Sequence, residues 1–263
     1  MNKAAIVIPF YKDSLTANEK ISLDQGFRIL GNHPIIAMKP ESLDLSFVDC
    51  VDFSRVISFD NKYFKDIHGY NELMLSSEFY KKFMAYEYIL IYQLDAFVFS
   101  DQLLRWCSQN YDYIGAPWLY SENNSFLHLI YTFKSFLFGT FNWQINGVPK
   151  KKQFYNKVGN GGFSLRRVQR FHDLSIKFSD LAAQYLDKQK LEFNEDIFWS
   201  IAINRTKKNL HIPKYRTALK FAFETLPERA YKLNQHQLPF GCHAWEKELD
   251  FWKPHMQKFI SKK

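Results

Sequence analysis

One stretch of the sequence constrains the fold more than any other: residues 88–99, which read YILIYQLDAFVF. A run this rich in β-branched and aromatic residues is typical of a buried strand. Only Gln93 and Asp95 interrupt its apolar character. The sequence therefore predicts a core strand over residues 88–99. It also predicts that the two polar side chains share one face, because alternate residues of a strand point to the same side.

The segments before this run alternate between strand and helix patterns. Residues 4–10 and 35–38 are apolar runs of the strand type, and Thr16 with Glu19 forms a capping-box pattern that opens a helix between them. Residues 71–84 repeat apolar side chains at helical spacing. Such alternation favours an α/β fold with a mostly parallel central sheet flanked by helices, and 263 residues suffice for one domain.

In a sheet of this kind, ligands bind beyond the carboxyl ends of the strands. The rule brings residues 10–13 and residues 93–97 to a common crevice. Later in the chain, a glycine-rich turn at residues 159–162 enters a strand, and helices are predicted at residues 179–190 and 195–204.

Residues 119–157 have a different character. Within them, residues 126–141 are rich in aromatic side chains and poor in charge, and the lysine triplet 150–152 follows. The apolar stretch is too short and too interrupted for a membrane span. Two interpretations stay open: a buried helix followed by a loop, or an aromatic and basic flap that meets a lipid-linked acceptor or an anionic membrane surface.

Composition narrows the choice of partner. The net charge of +8 favours an anionic partner, and 26 Phe, 15 Tyr and 6 Trp are more rings than a core of this size needs. Nucleic acid is disfavoured, because no zinc-finger or recognition-helix signature accompanies the positive charge.

The cysteines and the first strand bear on the compartment. Cys50, Cys107 and Cys242 are odd in number and far apart, which is typical of a reducing, cytoplasmic setting. The first apolar run is broken by Pro9 and closed by Lys12, so it is interpreted as a strand and not as a signal peptide.

Four groups of residues are candidates for chemistry. An acid in an apolar strand is costly to bury unless it is paired or bound to a cation. Asp95, with Gln93 beside it, is therefore either a cap at the strand's exposed end or an oxygen ligand for Mg²⁺ or Mn²⁺. His243, between Gly241-Cys242 and Trp245, is either a packed histidine or a ligand for a metal or a diphosphate.

The other two groups are a turn and an acidic pair. Residues 159–162 (GNGG) let the backbone approach a ligand closely or adopt positive φ, but they match neither the P-loop nor the dinucleotide fingerprint. Glu195 and Asp196 follow Asn194 at a helix start, where acids complement the helix dipole. A carboxylate there is alternatively a general base.

These pieces occur in an order that closely resembles a family of glycosyltransferase-like proteins, many from bacterial polysaccharide clusters, that is catalogued mainly as a domain of unknown function. The resemblance covers residues 6–252. It rests on six ordered motifs: YNELMLS at 70–76, LIYQLDAFVF at 90–99, YIGAPW at 113–118, GNGGFSLR at 159–166, NEDIFW at 194–199 and PFGCHAW at 239–245.

More distantly, the chain resembles inverting enzymes of the GT-A fold. The resemblance implies that Gln93-Leu94-Asp95 occupies the place of the acidic DxD motif, with an amide in place of the first acid. A register shifted by two would instead use Asp95-Ala96-Phe97 and lose the second acid. The implied metal ligands for Mn²⁺ or Mg²⁺ are Asp95 and His243.

The resemblance also implies roles for the remaining motif residues. Asp196 would be the catalytic base, and Glu195 would orient or assist it. The implied substrate-binding residues follow in chain order: Pro9, Phe10, Tyr11, Asn71, Gln93, Trp118, Asn160, Gly161 and Gly162.

The expected function is inverting transfer of a sugar from a nucleoside-diphosphate sugar to a hydroxyl of a glycan or lipid-linked glycan in surface polysaccharide synthesis. The expected location is the cytoplasm, with peripheral contact to the inner face of the membrane. Two alternatives stay open: a metal-dependent nucleotidyltransferase or phosphoesterase that uses Asp95 with Glu195 and Asp196, and a catalytically silent glycan-binding scaffold.

Overall fold

The computed structural model describes residues 2–48, 51–120 and 125–260, without the side chains of residues 125–129 and 260. Cys50 and residues 121–124 of the segment 119–157 lie outside the described residues. No helix within the described part of the chain is long and apolar enough to cross a membrane.

The strands of the described residues are β1 (Asn2–Pro9), β2 (Ile35–Pro40), β3 (Arg55–Phe59), β4 (Tyr86–Tyr92), β5 (Phe97–Val98), β6 (Tyr113–Ile114), β7 (Gln144–Ile145), β8 (Val148–Pro149), β9 (Phe163–Arg167), β10 (Ala222–Phe223) and β11 (Gly241–Cys242). The α-helices are α1 (Ala17–Leu30), α2 (Ile67–Leu75), α3 (Ser77–Lys81), α4 (Leu103–Ser108), α5 (Ser125–Thr140), α6 (Val168–Lys177), α7 (Ser179–Leu186), α8 (Glu195–Ser200), α9 (Tyr215–Phe221), α10 (Pro227–Leu233) and α11 (Leu249–Ile260).

The central sheet has the strand order β3-β2-β1-β4-β9-β6. Its first four strands are parallel, and β9 runs antiparallel to both β4 and β6. Alternate residues of β1 enter different cores: Ile6 and Ile8 pack with α1 and α4, whereas Ala5 and Val7 pack with α2, α3, α6 and α8. The predicted α/β fold, with a mostly parallel sheet flanked by helices, is confirmed.

The prediction of a single strand over residues 88–99 is wrong. Strand β4 ends at Tyr92, and β5 belongs to a second, three-stranded sheet with the order β10-β11-β5. Between them the backbone turns, since the amide of Ala96 donates to the carbonyl of Gln93 at 2.8 Å. Gln93 and Asp95 therefore lie in this turn and not on one face of a strand, and the interruption in the apolar run marks the point where the chain changes sheets.

Several local predictions are confirmed. Glu19 N–H donates to Thr16 Oγ1 at 3.2 Å and Thr16 N–H donates to Glu19 Oε2 at 2.7 Å, so the capping box at the start of α1 is complete. The turn 159–162 leads into β9. Residues 126–141 fall largely within α5, which has both buried and exposed side chains and is therefore not the wholly buried helix of the first interpretation.

Other boundaries differ from the sequence patterns. The helical pattern over residues 71–84 covers α2 and α3, which are separate because Ser76 leaves the helical conformation and caps α3 through its hydroxyl. The pattern over residues 195–204 is α8 followed by a short 3-10 turn.

Candidate active site

Four segments meet around the imidazole of His243: the turn after β4, the turn 159–162, the end of β10 and the end of β11. Its Nε2 lies 3.1 Å from Asp95 Oδ1 and 3.2 Å from Gln93 Oε1. Its Nδ1 lies 3.0 Å from Glu224 Oε1. The side chain thus connects the turn after β4 with the end of β10, and a single largely buried ring is surrounded by two carboxylates and an amide.

Gly162 leaves the space that this arrangement needs. A Cβ atom at this position would lie 2.0 Å from His243 Nε2 and 2.5 Å from Gln93 Oε1. The carbonyl of Gly162 also accepts a hydrogen bond from the amide of Gln93 at 2.8 Å. Gly162, the last glycine of GNGG, is therefore needed because the side chains of His243 and Gln93 lie close to its α-carbon.

The charges of this cluster support one another. Burial alone would lower the pKa of His243, but its hydrogen bonds to Asp95 and Glu224 outweigh burial and raise the pKa to about 10. Burial alone would raise the pKa of Asp95, but the bond to His243 outweighs it and lowers the pKa below its usual value. At neutral pH and without a metal, the cluster holds an imidazolium between carboxylates.

The same atoms fit a divalent cation. Across the described ranges no three His, Cys, Asp or Glu side chains come together as metal ligands, and the donor atoms of this cluster belong to Asp95, His243 and the amide oxygen of Gln93. Two ligand atoms at about 2.1 Å from an ion and at right angles are roughly 3.0 Å apart, close to the two distances measured from His243 Nε2. Glu224 accepts a hydrogen bond from Nδ1, an arrangement that would orient the ring and leave Nε2 to bind a metal. Metal binding at Nε2 would release the proton held there.

A buried ion pair anchors the start of α8. Glu195 Oε1 accepts from Arg166 at 2.8 Å, and the side chains are 3% and 0% exposed. The amide of Glu195 donates to Asn71 Oδ1 at 3.0 Å. A Cβ atom on Gly161 would lie 2.2 Å from Glu195 Oε1, so the first glycine of the pair makes room for this carboxylate.

Asp196 is half-buried next to this pair. Its Oδ1 accepts from the amide of Ile197 at 2.8 Å. Burial, followed by the negative charges of Glu195 and Glu224, raises the pKa of Asp196 to about 7. A carboxylate with a pKa near the working pH is suited to general-base catalysis.

Asn160 shapes the turn between the two clusters. It has φ of 78°, and its Oδ1 accepts from the amides of Gly162 at 2.8 Å and Phe163 at 3.3 Å. Its Nδ2 is buried and finds no hydrogen-bond partner among the described residues. Trp118 packs on the same turn, because a Cβ atom on Gly159 would lie 1.9 Å from its ring.

Three cavities border these groups. One of about 370 Å³ is lined by the end of β1 and the turn after β4, including Pro9, Phe10, Tyr11 and Asp95. The Phe10 ring itself is 1% exposed and packs against other rings of the core. Gln93 Nε2 donates to the Tyr11 hydroxyl at 3.3 Å, which places this tyrosine beside the His243 cluster.

The other two cavities extend this space. One of about 280 Å³ shares Tyr11 and Gln93 with the first cavity. It shares Asp66 and Ile67 with a third cavity of about 640 Å³, which also borders Asn71. The shared lining residues show that the second cavity adjoins both of the others.

The structure brings Gln93, Asp95, Gly162 and His243 into one cluster and Asn71, Gly161 and Glu195 into another, and two further members of these clusters were not predicted. Arg166 stands in the GNGGFSLR motif, where a charged residue in an otherwise apolar strand is a usable signal for a buried partner. Glu224 follows only a two-residue strand, so nothing local distinguishes it from a surface acid.

Comparison with known proteins gives a family and a fold. The family model described as "Protein of unknown function (DUF5672)" matches residues 53–243. No curated protein matches the sequence. Among solved structures, the apo form of mouse xyloside xylosyltransferase 1 is similar with a TM-score of 0.52 at 11% identity, covering 92% of this chain and 96% of that one.

A second similar structure is core-mannan synthase A (CmsA/Ktr4) from Aspergillus fumigatus in its Mn/GDP form. It has a TM-score of 0.50 at 12% identity and covers 82% of this chain and 73% of that one. At such identities the likeness concerns the fold alone. The fold is that of GT-A glycosyltransferases, as the resemblance of the motifs implied.

Proposed function

The chain belongs to the DUF5672 family of proteins of unknown function, and we propose that it transfers a sugar from a nucleoside-diphosphate sugar to a hydroxyl of a glycan or lipid-linked glycan. The observation that carries the proposal is the pairing of two groups at one sheet edge. The Asp95–His243 cluster suits a diphosphate, and Asp196, with its pKa raised to about 7, suits an acceptor hydroxyl.

The donor side of the proposed site is the cavity of about 370 Å³ at the end of β1. We assign the nucleotide to this cavity, with Pro9, Phe10 and Tyr11 along its wall. The diphosphate then lies at Gln93, Asp95 and His243, where the imidazolium is the positively charged group of the cluster. One similar structure was solved with Mn and GDP, which agrees with this choice of ligand.

His243 contributes in either of two states. As an imidazolium it offsets the charge of the leaving diphosphate, and its Nε2–H donates to a diphosphate oxygen in exchange for the bond to Asp95. Asp95, His243 and Gln93 would hold Mn²⁺ or Mg²⁺, which would supply that charge stabilisation instead. In both states Glu224 accepts from Nδ1 and fixes the ring orientation.

The proposed reaction is a single displacement at the anomeric carbon with inversion. Asp196 takes the proton from the acceptor hydroxyl as the oxygen forms its bond to the anomeric carbon. The bond from that carbon to the diphosphate oxygen breaks, and the nucleoside diphosphate leaves with the electron pair. Glu195, held by Arg166 and Asn71, positions the first turn of α8, and its charge adds to the burial that raises the pKa of Asp196.

The acceptor side is the cavity of about 640 Å³. This volume is within the range of small-molecule sites, and its walls combine apolar and polar side chains. It reaches Asn71 and Asn194. The side chain of Asn71 donates to Asn194 Oδ1 at 3.1 Å, and Asn194 directly precedes the acidic pair in the chain. We assign Asn160, Gly161, Gly162 and Trp118 to the space between acceptor and donor. The setting is surface polysaccharide synthesis at the cytoplasmic face of the membrane.

A binding panel tests the donor assignment. UDP, GDP, CDP, CMP and dTDP are each added with Mn²⁺, with Mg²⁺ and with chelator, and the melting temperature is measured. A ligand that binds only the folded state raises that temperature. One nucleoside diphosphate should stabilise the protein, and His243→Gln should weaken its binding. A flat response to all five nucleotides in every metal condition would refute the donor assignment and favour the glycan-binding scaffold.

A further inference from the structure

An exposed aromatic surface lies on the segment between the YIGAPW and GNGG motifs. Of the twelve large apolar side chains that are exposed among the described residues, five belong to one short stretch. They are Phe133 and Phe136 at 62%, Phe141 at 72%, Trp143 at 53% and Ile145 at 54% exposed. We call these five residues the aromatic surface. Clusters of this kind mark interaction sites, whereas single exposed apolar side chains are ordinary.

The aromatic surface is the outer side of a packed unit. The opposite face of α5 carries Ser135, which is 3% exposed and donates to the carbonyl of Tyr155 at 3.1 Å. Tyr155 also stacks on Tyr120 with ring centres 5.1 Å apart. Since α5 already has a buried face, the exposed rings of its other face are not needed for its own packing.

The segment that carries these rings contains lysines and no acid. Residues 125–157 contain five lysines and neither aspartate nor glutamate. Lys150 Nζ lies 5.4 Å from the ring centre of Phe138 and 5.7 Å from that of Trp143. Lys152 Nζ lies 5.4 Å from the ring centre of Tyr131. Two of the five lysines therefore lie against aromatic rings of the segment.

The segment is tied directly to the candidate active site. Pro117 and Val158 form an antiparallel bridge, and the amide of Trp118 donates to the carbonyl of Lys157 at 2.9 Å. The amide of Gly159 donates to the carbonyl of Ala116 at 3.1 Å. The base of the segment is thus the start of the GNGG turn.

We propose that the aromatic surface and the lysines at 134 and 150–152 dock on an anionic lipid bilayer. Aromatic rings of Phe and Trp insert at the headgroup level, and lysines bind the anionic headgroups. The absence of acids from residues 125–157 favours a uniformly anionic partner. The described part of α5 does not qualify as a membrane span, so contact is peripheral. The docking is independent of the proposed function. The further idea that docking presents a lipid-linked acceptor to Asp196 rests on the proposed function.

Vesicle co-sedimentation of the full chain tests the proposal. The vesicles are pure phosphatidylcholine or phosphatidylcholine with one-third phosphatidylglycerol, at low and at high salt. The wild type should bind the anionic vesicles, bind the neutral ones more weakly, and be released by salt. Replacing Lys150, Lys151 and Lys152 by Gln should weaken binding about 100-fold, at about fivefold per lysine.

The aromatic contribution is tested by Phe133→Ser with Phe136→Ser. This variant should lose at least about tenfold in affinity for anionic vesicles while retaining its melting temperature. The matched controls are Leu104→Ser with Ile176→Ser, which change equally exposed apolar residues elsewhere, and Lys81, Lys82 and Lys188 replaced by Gln. Both controls should bind like the wild type.

Two results would overturn the proposal: no binding of the wild type to anionic vesicles at low salt, or equal losses in the surface variants and their controls. The nucleotide panel is run on the same variants. Normal nucleotide binding with lost vesicle binding supports docking as a separate property, and a flat nucleotide response with intact vesicle binding contradicts only the proposed transferase.

Discussion

At the scale of single residues, the site depends on which atoms carry protons. His243 is an imidazolium because two carboxylates face its two nitrogens. Asp196, about as acidic as a typical histidine, sits near the negative charges of Glu195 and Glu224. The site thus combines His243, which stays protonated at neutral pH, with Asp196, which is half ionised. This difference separates the site into a part for an anionic leaving group and a part for proton removal.

Replacing Asp196 by Asn should separate catalysis from stability. Turnover is expected to fall by about 100-fold or more, as for loss of a general base. The folded protein holds the pKa at about 7 against an ordinary value of 3.8, so ionising Asp196 costs stability as pH rises from 3.8 to 7. The neutral amide of the variant removes that cost. The melting temperature of the variant should exceed that of the wild type at pH 8, with a smaller gain at pH 4; a lower melting temperature at pH 8 would contradict the assignment.

The pH dependence of turnover gives an independent check on the base. Since Asp196 must be ionised to accept a proton, kcat/KM should rise with pH through an apparent pKa near 7 and then level off. The measurement is kcat/KM from pH 5 to 9 for the wild type. A profile flat down to pH 5 would contradict a base of raised pKa.

Gly162→Ala tests the compactness of the His243 cluster. The added methyl group would lie 2.0 Å from His243 Nε2, so the imidazole or Gln93 has to move. Nucleoside-diphosphate binding should weaken at least about tenfold. Gly139→Ala is the matched control, because nothing lies within 4 Å of its added methyl group. Equal affinities in the two variants would show that the cluster does not bind the ligand.

At the scale of secondary-structure elements, β9 and α8 are joined by the Arg166–Glu195 pair. Ser164 and Tyr80 accept further hydrogen bonds from the guanidinium at 3.1 and 3.0 Å. The second oxygen of Glu195 is buried and finds no partner among the described residues. The start of α8, which carries Asp196, is therefore fixed to the central sheet through one ion pair.

Arg166→Met should be strongly destabilising because it leaves the Glu195 carboxylate buried without its counter-charge. The expected loss is about 3–5 kcal/mol in the free energy of unfolding by denaturant. Adding Glu195→Gln should recover part of this loss. Arg167→Met is the control, since its 3.6 Å pair with Asp112 is partly exposed and worth about 1 kcal/mol or less. Similar losses at both arginines would contradict the role given to the buried pair.

Secondary structure was predictable where local patterns decide it. The capping box and the first strand follow from their own residues, and the parallel order follows from strand and helix alternation. The run 88–99 was not predictable as two strands, because residues 97–98 are as apolar as residues 88–92. Only the tertiary partner of each half, β9 for one and β11 for the other, separates them.

The site was partly predictable for a similar reason. Gly161 and Gly162 stand out in the sequence, but the side chains that need their space are Glu195 of α8, His243 after β11 and Gln93 after β4. Glu224 is assigned only through its bond to His243, which lies 19 positions later. Pairings between distant segments leave no local pattern.

At the scale of the whole molecule, His243 connects two sheets. Asp95 follows β4 of the central sheet, whereas Glu224 and His243 follow β10 and β11 of the three-stranded sheet. The three-stranded sheet in turn packs with α11 in a core of its own. The ion pairs of this histidine therefore contribute to the stability of the molecule and not only to ligand binding.

This connection predicts how stability depends on pH. The folded protein raises the pKa of His243 from 6.5 to about 10, so its contribution is fully present below pH 6.5 and is lost as pH rises to about 10. Denaturant unfolding of the metal-free wild type and of His243→Gln should differ most near pH 6 and least near pH 10. A difference that grows with pH would contradict the imidazolium assignment.

The most direct test of the central claim is to follow the products formed from nucleotide sugars. A panel of UDP-, GDP-, CDP- and dTDP-sugars is incubated with glycan and lipid extracts and with wild type or Asp196→Asn. We expect the wild type to consume one donor and to release its nucleoside diphosphate. The variant should bind that nucleotide normally, but its rate of nucleotide release should be lower by about 100-fold or more. Release of pyrophosphate, inorganic phosphate or a nucleoside monophosphate from a diphosphate donor, or equal rates in the two proteins, would contradict it.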